Sequence, residues 1–331
     1  MNSRLASITA FLWCLTVANL ALASPPSAPV ASTPDSPQKA PAAADQGPPP
    51  LRIIADVMIN GRGPFHFMFD TGATQTVIAD TTVTRLGLES DLAKLVRVQG
   101  VNGHVLAPEI QIDSLTVGSI QFRHIDVPVL AGPLFDGLDG ILGAQGFDGM
   151  KLSVSVLDRR CIITASPRRA DTPAGATALR MLSQLLPMVS ATVAGVKVRV
   201  IIDTGAATTL GNPTLLAALQ KAGLVQELRA APAVLDVTSV RWAGLNGAIP
   251  PLQLGQVAVQ PPMVTFGDYQ IFSRWGLSKR PALLLGMDSL ATLATFSIDY
   301  SRLQLQLLPR PAAMLSLALL DRSDADSKIV H

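Results

Sequence analysis

The chain has 331 residues, 48% apolar and only 15% charged, with a formal net charge of +2. That is apolar material for one large core or two modest ones, and the lack of a basic run excludes a surface built for a phosphate backbone. Abundant Gly and Pro with few charged helix formers lean toward β-structure with many turns.

Residues 1–23 read as an export signal. Arg4 gives a short basic start, residues 5–20 are largely apolar, and Ala21-Leu22-Ala23 is an A-x-A cleavage site. A retained membrane anchor is the alternative, because the apolar run approaches spanning length. Cys14 follows bulky Trp13, which does not suit a lipoprotein signal. Cleavage removes Arg4 and Cys14, leaving one thiol, Cys161, and a net charge of +1. A chain exported without a possible internal disulfide fits a bacterial periplasm, or secretion, better than a disulfide-stapled fold. Cys161, followed by Ile162-Ile163, reads as a buried strand residue. Residues 24–50 hold nine prolines and almost no large apolar side chains. They form a disordered Pro/Ala-rich spacer.

From Leu51 the pattern changes to short apolar runs separated by Gly, Asn and Asp. Residues 53–59 and 65–69 around Asn60-Gly61 predict a hairpin. It delivers Asp70-Thr71-Gly72, followed by a strand at 76–78 and a short helix ending near Gly87. A second hairpin has the tip Gly100-Val101-Asn102-Gly103. Strands follow at 115–117 and 125–130, then Gly140-Ile141-Leu142-Gly143 and a closing pair near 152–164. Residues 51–165 thus make an N-terminal lobe, and 166–184 a polar connector with a short helix possible at 177–186. Residues 185–309 make a C-terminal lobe, and 310–331 a tail with an apolar run at 314–320.

The second lobe repeats the first. A hairpin at 189–202 delivers Asp203-Thr204-Gly205, and Asn212-Pro213 opens a helix as N-cap and first-turn proline. Gly244-Leu245-Asn246-Gly247 matches the 100–103 tip, Leu254-Gly255 matches Val117-Gly118, Leu284-Leu285-Gly286 matches Ile141-Leu142-Gly143, and Ile298-Asp299 matches Leu157-Asp158. The separations are 133 at the Asp, then 144, 137, 143 and 141. Such drift over landmarks in one order indicates an internal duplication and a pseudo-two-fold molecule.

In both halves an apolar strand leads into Asp-Thr-Gly, with a glycine-tipped hairpin and a later apolar-apolar-Gly. Residues 51–308 therefore resemble the aspartic peptidases of the retropepsin and pepsin type, most of all the retropepsin-like bacterial proteins. The resemblance implies a mainly β chain with two pseudo-symmetric β-barrel lobes. It implies an endopeptidase with a polypeptide substrate, without cofactor, metal, nucleic-acid partner or membrane span after signal cleavage, working as a monomer.

It also implies the site. Asp70 and Asp203 would be the catalytic pair. Thr71 and Thr204 would bond across to the opposite loop, and Gly72 and Gly205 would let the backbone approach the carboxylates. Ile141, Leu142 and Gly143, with Leu284, Leu285 and Gly286, would support the loops from beneath. Gly100, Val101, Asn102 and Gly103, and Gly244, Leu245, Asn246 and Gly247, would be the tips of two flaps closing over an extended peptide. Two like charges in one site cannot both ionise easily, so the pair holds one proton. The ionised member would take a proton from a bound water, and the protonated one would donate toward the scissile carbonyl. Ala73 and Ala206 stand where a Ser or Thr could donate to the outer carboxylate oxygen. Without that donor the expected optimum is mildly acidic to neutral.

Other readings stay beside this one. The fold can persist as a catalytically inactive peptide-binding module. His66, His104, His124 and His331 lack metal-ligand spacing. Asp136 and Asp139 resemble a calcium-loop fragment but lack its remaining ligands, so they read as turn residues. Trp242 either lines a substrate pocket or simply packs. The lobes also differ after their glycines: Ala144–Gly149 is a poor helix, whereas Met287–Thr295 is a plausible one.

Overall fold

The computed structural model describes residues 10–11, 51–89, 91–167, 175–182, 185–231, 234–236, 241–261 and 263–310. Apart from Ala10–Phe11, which lies parallel to Val98–Gln99, the expected export signal and spacer lie outside the described residues. So do the middle of the connector and the tail beyond Arg310.

The protein is mainly β, with a closed six-stranded barrel and a half-barrel. In the first lobe the order is 104–117, 120–130, 77–79, 140–142, 62–69, 54–59. Pairing of Val57–Ile59 with Leu115–Val117 closes the barrel. Alternation drives this geometry: Ala55, Val57 and Ile59 are buried on one face of their strand. The turn uses Asn60 and Gly61, both at positive φ (50° and 74°), as the Asn-Gly signature requires.

In the second lobe Ala194-Gly195 repeats that turn, and Leu186–Val193 pairs with Val196–Ile202. The counterpart of the long 104–117 strand is split into Leu245–Gly247 and Leu252–Leu254. Pro250 and Pro251 lie in the gap and withdraw two ladder donors, which leaves this lobe a half-barrel. Helix Pro213–Lys221 starts as its sequence dictates: Leu215 N–H donates to Asn212 Oδ1 at 2.8 Å, with Pro213 at the first position.

A third sheet region joins the lobes. Met150–Ser155 pairs with Arg160–Ala165 on one side and with Leu293–Asp299 on the other, and the latter continues to Gln304–Pro309. Strands expected to close the C-terminal lobe at 309 therefore pair with the N-terminal one. The two hairpins are pseudo-equivalent, with Arg159 and Leu303 at their turns, both at φ near 50° (52° and 53°). Those turns lie 144 residues apart, so matching Leu157-Asp158 with Ile298-Asp299 is wrong by three positions. The true counterpart of Asp299 is Ser155: Asp158 N–H donates to Ser155 Oγ, and Arg302 N–H donates to Asp299 Oδ1. Two different side chains cap the same turn, which hid the equivalence.

Three more expectations need correction. The connector has no helix at 177–182. Thr177–Ala178 pairs with Gln304–Leu305, and Arg180–Leu182 pairs with Leu186–Met188. Open sheet edges there satisfy the backbone better than an isolated helical turn would. The helix after Gly286 covers only Met287–Leu290. Leu293 already pairs with Pro309 in the joining sheet. Cys161 lies in a strand but is half-buried rather than fully buried.

Candidate active site

Each lobe presents its Asp at the end of its inner strand, Arg62–Phe69 or Val196–Ile202. The loop folds the same way twice. Asp70 N–H donates to Leu142 O and Asp203 N–H to Leu285 O, both at 3.0 Å. Gly72 and Ala73 N–H donate to Asp70 Oδ1 at 2.8 and 3.1 Å. Gly205 and Ala206 N–H donate to Asp203 Oδ1 at 2.8 and 3.0 Å. One oxygen of each carboxylate is thus held by its own turn.

The two loops lock through their threonines. Thr71 Oγ1 donates to Ile202 O and Thr204 Oγ1 to Phe69 O, both at 2.7 Å. Each hydroxyl also accepts the other threonine's N–H at 3.1 Å. These four bonds cross between the lobes and are fully buried, where an unmade bond is costly. Glycine is required on both sides. A Cβ on Gly72 would stand 2.5 Å from Asp203 Oδ2, and one on Gly205 would stand 2.2 Å from Asp70 Cγ. Each glycine is therefore pressed against the opposite carboxylate.

Both Asp residues are 0% exposed, and apart from the opposite carboxyl the Oδ2 of each has no hydrogen-bond donor among the described residues. Ala73 and Ala206, also 0% exposed, carry no hydroxyl that could supply one. Burial raises the Asp70 carboxyl well above the usual range, and the neighbouring Asp203 charge raises it further. Burial also pushes Asp203 up to about 6, against the opposing hydrogen bonds from Gly205, Ala206 and the Asp70 carboxyl. Both shifts favour keeping a proton in the site.

The support beneath the loops includes residues the sequence reading missed. Gly286 N–H donates to Thr209 Oγ1 at 3.2 Å, and Thr209 N–H donates to Asp288 Oδ2 at 2.9 Å. In the first lobe Gly143 N–H donates to Thr76 Oγ1 at 3.3 Å, and Thr76 N–H donates to Gln145 Oε1 at 3.3 Å. Gln145 and Asp288 thus do one job 143 positions apart, the offset of the glycines before them. The missing first-lobe helix is replaced by aromatics. Phe147 stacks on Phe69 with centroids 5.6 Å apart, and Tyr300, from the strand pair that crosses over, meets Phe147 edge-on at 5.8 Å.

The first hairpin tip lies where expected, between Asp91–Gln99 and His104–Val117. Gly100 N–H donates to Gly103 O at 2.9 Å, closing the turn. This tip reaches the second lobe. Ile271 N–H donates to Val101 O and Gln270 N–H to Asn102 Oδ1, both at 3.0 Å, while Asn102 N–H donates to Asp236 Oδ2 at 3.2 Å. Val101 is 0% exposed and packs with Trp242, Tyr269, Phe272 and Trp275. Trp242 meets Tyr269 edge-on at 5.0 Å and is buried, so packing accounts for it.

Gly244, Leu245, Asn246 and Gly247 are not a flap tip. They run along the returning arm of the second hairpin, where Leu245–Gly247 pairs with Arg229–Ala230 and Val264–Phe266. The arms of this hairpin pair at Val234–Leu235 and Arg241–Trp242, ahead of Gly244. Its glycines serve close packing: a Cβ on Gly244 would lie 2.5 Å from Tyr269 Oη, and one on Gly247 would lie 2.9 Å from Leu228. Asp139, read as a turn residue, accepts from His66 N–H at 2.8 Å and Thr82 Oγ1 at 3.0 Å, and pairs with Arg85. Asp136 pairs with Arg52 at 3.2 Å.

Comparison with curated proteins found no match. The family model described as aspartyl protease matches the chain twice, at residues 55–145 and 189–289. Each match contains one Asp-Thr-Gly loop and the glycine beneath it, and together they cover more than half of the chain. The chain belongs to the aspartyl protease family.

Proposed function

We propose that the protein is an aspartic endopeptidase in which Asp70 and Asp203 hold a water between them and hydrolyse peptide bonds without a covalent intermediate. The observation that carries this reading is the paired Oδ2 atoms, buried and served by no group but the opposite carboxyl, on carboxyls that burial raises, Asp70 further through the Asp203 charge. The ionised member takes a proton from water as it attacks the scissile carbonyl. The protonated member donates to the carbonyl oxygen, and the pair then delivers a proton to the leaving amine. Because both shifts are upward and no hydroxyl serves either Oδ2, activity is expected from mildly acidic to neutral pH. In this reading the first flap, bonded to the second lobe through Val101 and Asn102, lifts to admit an extended peptide, which binds as an added strand. The site of action is proposed to be the periplasm or the exterior, on the strength of residues 1–23. A mature amino terminus other than one following Ala23 would count against cleavage there.

The test is digestion of a mixed peptide library from mildly acidic to neutral pH, read by mass spectrometry, with Asp70→Asn and Asp203→Asn beside the parent. Cuts lost in both variants support the dyad. A folded parent that binds peptides and cuts none would overturn it in favour of an inactive peptide-binding module.

A further inference from the structure

The second lobe carries a cavity of about 640 Å3 with a cationic wall. Strand register assembles it. Ser190 lies opposite Arg199 and Thr192 opposite Lys197 across one hairpin, while Gln253 flanks Thr192 on its other side. Lys197 and Arg199, two apart in one strand, share a face while Val198 between them is buried. Arg199 N–H donates to Pro281 O at 2.9 Å, which brings Arg280 alongside. The Arg199 guanidinium is positioned by a bond from Nη1 to Ser190 Oγ. All of these residues line the cavity. Lys197, Arg199 and Arg280 take part in none of the ion pairs among the described residues.

The first lobe provides an internal control on the same frame. Its counterpart of Ser190–Arg199 is the cross-strand pair Asp56–His66, with Oδ1 and Nδ1 2.9 Å apart. Its counterpart of Ala282 is Asp139, bound to Arg85. Two carboxylates therefore stand where the second lobe has Ser190 and Ala282, and Pro64 and Gly137 where it has Lys197 and Arg280, so only the second copy presents a cationic wall. Three like charges around one concavity repel weakly through solvent, and an anion lying among them is favoured. Guanidinium forks match the oxygens of a tetrahedral oxyanion, and Ser190 and Thr192 add short hydroxyl groups.

We propose that this cavity binds a phosphate group, either free or as the headgroup of an anionic phospholipid. The full chain would be titrated with inorganic phosphate by calorimetry. Sedimentation with phosphatidylcholine vesicles, with and without phosphatidylglycerol, would run beside it. Arg199→Gln and Arg280→Gln would be compared with Arg160→Gln, which removes the same charge from an exposed strand position outside the cavity. Melting curves would establish that each variant is folded. The expected result is binding that weakens about tenfold or more in each cavity variant and stays near parental in Arg160→Gln. Cavity-dependent binding of free phosphate would identify a soluble ligand, and cavity-dependent binding only to phosphatidylglycerol vesicles a membrane headgroup; both support the site. No binding to either probe, or equal weakening in all three variants, overturns it.

Discussion

Replacing Asp203 with Asn removes a charge that the fold holds at a cost, and the cost can be sized. Asp203 is 0% exposed and its carboxyl is raised from an ordinary 3.8 to about 6. A carboxyl raised in the folded state stabilises fully below the unfolded value, and that contribution fades as pH climbs through the folded value. Between about pH 4 and neutrality the parent should therefore lose on the order of 3 kcal/mol through the coupled aspartate pair. Asparagine stays neutral throughout. Its Oδ1 can still accept from Gly205 and Ala206 N–H, and its amide can donate to the Asp70 carboxyl, which bonds the Asp203 carboxyl in the parent. Urea unfolding of Asp203→Asn and parent, repeated from pH 4 to 7.5, should give similar stabilities at the acid end. At neutral pH the variant should be more stable by on the order of 3 kcal/mol. Parallel curves across that range, or a variant weaker at neutral pH, would refute the electrostatic account of the site.

Thr71→Val and Thr204→Val each strand a buried carbonyl and a buried N–H across the lobe interface. Each should lower unfolding free energy by roughly 2–4 kcal/mol and abolish peptide cleavage, as read by denaturation and a cleavage assay together. Gly72→Ala should be inactive with both aspartates present, since its methyl would stand 2.5 Å from Asp203 Oδ2; an active variant would show that the two loops are not packed this closely. Asn102→Ala removes the acceptor for Gln270 N–H. Hydrogen exchange should quicken at residues 98–104 while the core strands 62–69 and 196–202 stay protected.

Much of this architecture was legible because the duplicated parts obey strict local chemistry. Asp-Thr-Gly behind an apolar strand, Asn60-Gly61 at positive φ and Asn212-Pro213 at a helix start each admit few alternatives. The second flap was misplaced because glycine has two uses that sequence spacing does not separate. At Gly100 and Gly103 it belongs to a turn, whereas at Gly244 and Gly247 it admits Tyr269 and Leu228. The equivalence of Gln145 with Asp288 was invisible because different side chains accept at the same loop position. Contact of Val101 with the aromatic cluster joins residues far apart in sequence and has no local signal. The joining sheet was missed for the same reason, since the pairing of Met150–Ser155 with Leu293–Asp299 follows from the assembly of the lobes.

That joining sheet fixes when the molecule can be completed during synthesis. A ribosome that has made residues up to Gly286 has supplied both aspartates, both threonines and both supporting glycines. The edge of Met150–Ser155 still waits for Leu293–Asp299, and Phe147 still waits for Tyr300. Until those last strands emerge, the first lobe carries an open edge that other chains can pair with. A nascent chain is therefore aggregation-prone before it is competent, and the final strands act as the timer on both. Chains truncated just after Gly286 should appear in the insoluble fraction despite retaining every residue of the Asp-Thr-Gly loops.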